Sequence, residues 1–247
     1  MNSLGSIQCI AKYIKTLPPV NYYPIVRYNM NNSGTTVPNL YGSAYNGVIT
    51  STSLITTTPS FPHPANSTYF LYSPVNEASS PDYLYESTLI PITYTQGFTF
   101  CCWIWINSGY NTSNDIKCFE LDSNNAFYLL LRVSYGQLSW GYDSNISHQF
   151  NFTKNAWNHF CVSTSVDSGA TYSVFWNGVE ILSNILYDTT NVSNAGYLSN
   201  NLYLSYIKLM CPISSPHYSL NGYIADFRIY NSILPSSQIT NIYNGTA

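Results

Sequence analysis

Ionic side chains are scarce in this chain of 247 residues: 8% are charged, with 8 Lys and Arg against 11 Asp and Glu. An average soluble domain carries roughly 25%. A nucleic-acid surface needs clustered Lys and Arg to displace counterions, so that partner is excluded. Charge-rich disorder and coiled coils fall for the same reason. Long apolar runs are missing too, and none nears the roughly 18 residues of a membrane-spanning helix. The six cysteines (Cys9, Cys101, Cys102, Cys118, Cys161, Cys211) contain no Cys-x-x-Cys pair, and the four histidines are scattered. Zinc-site spacing is therefore absent, and no metal or other cofactor is expected. Residues 1–20 have no continuous apolar stretch followed by a small-residue cleavage site, so no secretory signal is expected. Synthesis in a reducing cytoplasm follows, with free thiols. The N-x-S/T sequons at Asn31, Asn66, Asn111, Asn145, Asn151, Asn191 and Asn244 would then stay bare.

Asn, Ser, Thr and Tyr stand where charge is lacking, with 24 Tyr alone. An A/T-rich coding bias would raise Asn, Ile and Tyr, but it would raise Lys equally. Lys is rare (Lys12, Lys15, Lys117, Lys154, Lys208). A neutral, hydrogen-bonding, Tyr-rich surface is the better account. It suits close packing in an assembly, because Tyr adds contact area at low entropic cost. A solvated neutral monomer is the alternative, since Ser and Asn also keep proteins in solution.

Hydrophobic residues make up 45% of the chain and aromatic residues 16%, ample for a buried core. From Tyr22 onward they alternate as in strands. In Gly97–Ile106 one face carries Phe98, Phe100, Cys102, Ile104 and Ile106, and the other Thr99, Cys101, Trp103 and Trp105. Lys117–Leu121, Ala126–Val133, Gln137–Tyr142, His159–Ser165, Leu202–Leu209 and Tyr223–Tyr230 alternate likewise. Thr171–Trp176 runs into Asn177-Gly178, a two-residue hairpin signal. Turn signals at roughly 8–12-residue intervals predict an all-β, antiparallel two-sheet sandwich. The stretch Thr50–Pro64, with Pro59, Pro62 and Pro64, reads as loop or edge strand.

Two segments are helical in pattern. Leu4, Ile7, Ala11 and Ile14 fall at helical spacing before Pro18-Pro19 stops them. Residues 1–20 are thus an expected arm with a small amphipathic helix, folded back on its own domain or docked on a neighbouring subunit. Pro235 followed by Ser236–Tyr243 predicts a short helix with Ile239 and Ile242 inward. Residues 21–247 read as one domain, with no repeat and no shift in composition.

Five motifs occur in order: IVRYNMNNSGTTV (25–37), GFTFCCWIWI (97–106), AWNHFCV (156–162), YSVFWNG (172–178) and GYIADFRIY (222–230) with the segment 231–243. Together they resemble laminin-G-like jelly-roll domains of the concanavalin A-like lectin and glucanase superfamily. The resemblance implies a jelly-roll sandwich over roughly 22–245, but the superfamily is functionally broad. Where many members carry acidic residues after the first strand, this chain has Asn29, Asn31 and Asn32, which argues against calcium. The catalytic strand of related glucanases has three carboxylates. Here Glu120 and Asp122 match, and Asn124-Asn125 stand where the third belongs. Asn cannot donate a proton as an acid does, so no hydrolase activity is expected.

The faces opposite the predicted core carry Trp103, Trp105, Tyr128, Arg132 and His159. Aromatic planes beside polar donors can stack on a sugar ring, which makes these five candidate glycan-binding residues. Two neighbouring exposed Trp are costly, so the competing reading covers them with a loop or the N-terminal arm. Cys101 and Cys161 share this face, as a reactive pair or as small buried filler. The composition, the expected arm and the missing catalytic set resemble laminin-G-like virion proteins of large DNA viruses. A capsid or outer-layer structural protein bound to neighbouring subunits is the leading expectation. A lectin-like adhesion module is the alternative.

Overall fold

The computed structural model describes residues 22–28, 35–42, 44–49, 55–56, 70–73, 84–86, 90–92, 97–108, 116–123, 128–134, 137–142, 145–164, 171–186, 202–209, 218–219 and 221–246. The expected arm at 1–20 lies outside them. The strands run β1 (Val26–Tyr28), β2 (Thr36–Val37), β3 (Gly47–Ile49), β4 (Ile55–Thr56), β5 (Phe70–Ser73), β6 (Leu84–Glu86), β7 (Ile90–Ile92), β8 (Phe98–Ile106) and β9 (Ile116–Ser123). They continue with β10 (Tyr128–Ser134), β11 (Gln137–Tyr142), β12 (Asn145–Phe150), β13 (Trp157–Thr164), β14 (Thr171–Trp176), β15 (Val179–Leu186), β16 (Leu202–Leu209), β17 (Tyr218–Ser219) and β18 (Gly222–Tyr230). Helix α1 (Ser236–Tyr243) follows.

The strands form two antiparallel sheets, as the alternation predicts. The first has the order β15-β14-β13-β8-β18-β5-β4, with β1 added to β18. The second has the order β12-β11-β10-β9-β16-β6-β3-β2, with β7 on β16 and with β17 pairing in parallel on β9. The jelly-roll sandwich is thus the observed fold. Between the sheets lie Phe98, Phe100, Phe160, Val162, Phe227 and Ile229, all fully buried, with Phe100 and Phe160 in ring contact at 5.8 Å. The predicted β11, β14 and β16 have the observed bounds, and Asn177-Gly178 turns with positive φ at both residues (51° and 78°). Thr50–Pro64 contains β4, which ends the first sheet's order.

The other face of the first sheet is covered as well. Strand β8 is buried along all nine residues. The cover is the C-terminal segment. Thr99 Oγ1 bonds the Ser232 carbonyl (2.8 Å) and accepts the Leu234 N–H (2.9 Å), clipping the chain to β8 before α1 starts. Helix α1 has no side-chain N-cap and eight residues, too few to stand alone. Its stability comes from packing: Leu234, Ile239 and Ile242 are buried among Cys101, Cys161, Phe175 and Tyr230. Burying three such aliphatic side chains stabilises by roughly 5–9 kcal/mol, so α1 rests on the sheet in the native state.

A buried ion cluster fastens the short edge strand β1. Register places Arg27 opposite Arg228. Between them a β-bulge in β18 holds Asp226 at φ 45°. Arg27 Nε donates to Asp226 Oδ1 at 2.8 Å, and Arg228 Nε to Oδ2 at 3.0 Å. Burial pushes the Asp226 pKa up, but the bond and charge of Arg228, then those of Arg27, outweigh it and hold the carboxyl below its usual 3.8. A depressed acid stabilises the fold above its unfolded pKa, and that contribution is lost as pH falls through the folded value. Asp226→Asn keeps the shape and tolerates the left-handed backbone, yet leaves two guanidiniums uncompensated. It should cost about 3–5 kcal/mol at pH 7 in urea unfolding. The gap from wild type should narrow once pH drops below 3.8, where the unfolded chain takes up the proton first, and should close as pH falls through the lower folded value, where the native carboxyl is protonated too.

Candidate functional site

The outer face of the first sheet is a ladder of four rows across β13, β8 and β18. Trp157, Trp105 and Tyr223 form one row, and His159, Trp103 and Ala225 the next. Cys161, Cys101 and Arg228 form the third, and Ser163, Thr99 and Tyr230 the fourth. Helix α1 covers the middle rows. Its Tyr243 ring stacks on Trp103 (centroids 5.5 Å, interplanar 22°) and meets His159 at 5.9 Å. Tyr243 in turn rests on the β14–β15 turn, where Thr240 Oγ1 donates to the Gly178 carbonyl at 3.2 Å. Glycine is required there: a Cβ on Gly178 would lie 2.7 Å from the Tyr243 ring.

This arrangement corrects the expected glycan face. Trp103 (2% exposed), Trp105 (8%) and His159 (0%) are buried, and Tyr243 of α1 covers Trp103 and His159 where a loop or the N-terminal arm was expected. Tyr128 and Arg132 belong to β10 in the second sheet, and their side chains lie outside the described residues. The five therefore do not share one open surface. The expectation of free thiols also fails at one place. Cys101 and Cys161 face each other in register, with Cα atoms 4.1 Å apart, and are joined as a disulfide.

The end row remains partly open. Trp157, Tyr223 and Tyr243 are half-buried, and they pack together around Trp103 and Ala225. Trp157 meets Trp105 edge-on at 5.9 Å and lies 6.3 Å from Tyr223. These rings make an aromatic ledge at one end of the sheet. Its rim is amide-rich and fixed. Trp105 Nε1 donates to Asn107 Oδ1 (3.0 Å), and Asn107 Nδ2 donates to Asn221 Oδ1 (2.7 Å). Asn155, at φ 51°, accepts from the Ser108 N–H (2.8 Å) and gives its own N–H to the Ile106 carbonyl. Asn158 closes the 153–156 turn by donating to the carbonyls of Thr153 and Ala156. The oxygens of Asn155 and Asn221 are thus anchored inward. Among the described residues their Nδ2 groups make no hydrogen bond, and Asn155 is exposed and Asn221 half-buried.

Neither Trp157 nor Tyr223 was a candidate from sequence, although both lie in the recognisable strands AWNHFCV and GYIADFRIY. The available signal was parity: each sits on the same alternate face as His159 and Ala225. Asp226, the acidic residue of the last strand, is engaged by two arginines. Glu120 and Asp122 lie two positions apart on β9, and Asn124 lies outside the described residues.

Residues 79–240 match the concanavalin A-like lectin/glucanases superfamily in its laminin G branch. No curated protein matches the chain in sequence. Among solved structures, the chain is similar to Trypanosoma rangeli sialidase in complex with sialic acid, at TM-score 0.59 and 12% identity, over 88% of this chain and 32% of that one. It is similar to the botulinum neurotoxin type G receptor binding domain, at TM-score 0.57 and 12% identity, over 89% and 50%. A further receptor binding domain aligns at TM-score 0.60 and 16% identity, over 91% and 51%. The chain thus spans a third to a half of these proteins, and at such identities the likeness is one of fold.

Replacing Tyr243 by Ala should uncover Trp103 and cost about 2 kcal/mol, below the range for a fully buried ring. A red-shifted tryptophan emission that acrylamide quenches more strongly is the expected readout.

Proposed function

The chain belongs to the concanavalin A-like lectin/glucanases superfamily, and from that premise we propose that it is a non-enzymatic binding module taking a saccharide on the Trp157–Tyr223 ledge. The observation that carries this reading is the half-buried aromatic row beside anchored amides. A pyranose ring presents C–H bonds on its faces and hydroxyls around its edge. Trp157 and Tyr223 supply planes for the first, and Nδ2 of Asn155 and Asn221 supply donors for the second. Because the two amides are held by hydrogen bonds and the two rings by packing, little ordering entropy is lost on binding. The similar receptor binding domains and the sialidase complex support a binding role at the level of the fold.

The non-enzymatic part rests on the carboxylates. Glu120 and Asp122 share one alternate face of β9, but the position that completes the glucanase pattern holds Asn. A glycan array should give hits that fall at least tenfold with Trp157→Ala or Tyr223→Ala, a loss of about 1.4 kcal/mol each. A blank array sinks the reading. No reducing sugar should appear from β-glucans in the same preparations.

A second reading, compatible with the first, is a surface component of a large assembly such as the outer layer of a virion. Its support is the charge-poor, Tyr-rich composition and the exposed pair of Tyr23 and Tyr41, whose phenol rings lie 6.1 Å apart, with exposed Leu40 next to Tyr41 in the chain. Sedimentation of the full chain should then give an oligomer that weakens on deletion of residues 1–20. A monomer indifferent to that deletion argues against it.

A further inference from the structure

The disulfide of Cys101 and Cys161 lies in the third row of the ladder, with both residues wholly buried. On one side it has the backbone of β8 and β13. On the other it has Phe175, Tyr230, Leu234, Ile239 and Ile242, and three of these five come from the C-terminal segment. Arg228 stands next along the row, committed to Asp226. We propose that this pair is a redox site guarded by α1: a thiol reaches it only when α1 leaves the sheet, and its reduction weakens the seat of α1 in return.

The chemistry needs access. A thiolate must approach one sulfur from outside and displace the other, forming a mixed disulfide; the displaced sulfur takes up a proton. A second thiol then attacks the mixed disulfide and releases the first protein sulfur. Two reagent thiols become one reagent disulfide, and the protein gains two thiols. Neither attack has a path while Ile239 and Ile242 lie over the pair. Reciprocity follows from packing, because two thiols must separate to ordinary contact distance in a pocket filled at near-crystal density. Ile239 and Ile242 then have to move, and Tyr243 follows them in the same turn. Any effect on saccharide binding rests on the function proposed above, whereas the guarding of the disulfide does not.

The test uses the full chain purified without reductant. Iodoacetamide under native conditions, followed by peptide mapping, should leave Cys101 and Cys161 unlabelled. They should stay unlabelled after denaturation alone and become labelled after denaturation with reduction. Reduction of the native protein by dithiothreitol, trapped with iodoacetamide, should be at least tenfold faster in Ile242→Ala than in wild type. Gly178→Ala, which presses on Tyr243 from outside the core, should accelerate it as well, and covers the case in which Ile242→Ala fails to fold. Ile181→Ala, at an exposed site in β15, should leave the rate unchanged. Labelling of both cysteines in native unreduced protein would overturn the proposal, as would equal reduction rates with and without the α1 variants. Unchanged glycan binding after reduction, with the guarded kinetics intact, would remove only the link to the ledge.

Discussion

The first sheet is apolar on both sides, and this one constraint shapes the rest of the molecule. Its inner face packs against the second sheet, as any sandwich requires. Its outer face carries Trp105, Trp103 and Cys101 on β8 alone, too much apolar surface to leave in water. The segment 231–243 meets that need. Thr99 clips it to the sheet, Leu234, Ile239 and Ile242 fill the middle, and Tyr243 closes over Trp103. An eight-residue helix without a side-chain cap exists because this surface stabilises it.

The extent of that cover also sets where a ligand has room. Helix α1 ends above the second row of the ladder, so the row of Trp157, Trp105 and Tyr223 emerges from under it. At that margin β8 ends, β13 and β18 begin, and the connections carry Asn107, Asn155 and Asn221. Asparagine suits both tasks it performs there. It accepts the left-handed backbone at Asn155, and its amide oxygen can be tied inward while its nitrogen donates outward.

The charged groups follow the same economy. With so few ionic residues, the chain places Arg27, Asp226 and Arg228 together where two strands and a bulge meet. The low charge read from composition is therefore a statement about the surface. Buried, the same few charges fasten β1, a strand of three residues, to β18.

Alternation was enough to expose most of the long strands, the Asn177-Gly178 hairpin, the inward Phe98, Phe100, Phe160 and Phe227, and the C-terminal helix with Ile239 and Ile242 inward. Each of these is local: a period of two, a period near 3.6, or a turn dipeptide whose φ preferences are its own. The likeness to laminin-G-like domains was legible because those local signals recur in one order. What covers the second face of β8 was not legible, because the covering residues lie more than 130 positions downstream of it. Period-two alternation separates two faces but does not say which of them is wet. Tertiary packing alone decided that Trp103 and His159 are core, that Tyr128 and Arg132 belong to another sheet, and that Trp157 and Tyr223 stand at the margin. It also brought together Cys101 and Cys161, as well as Arg27 and Asp226, because those pairings depend on which strands become neighbours.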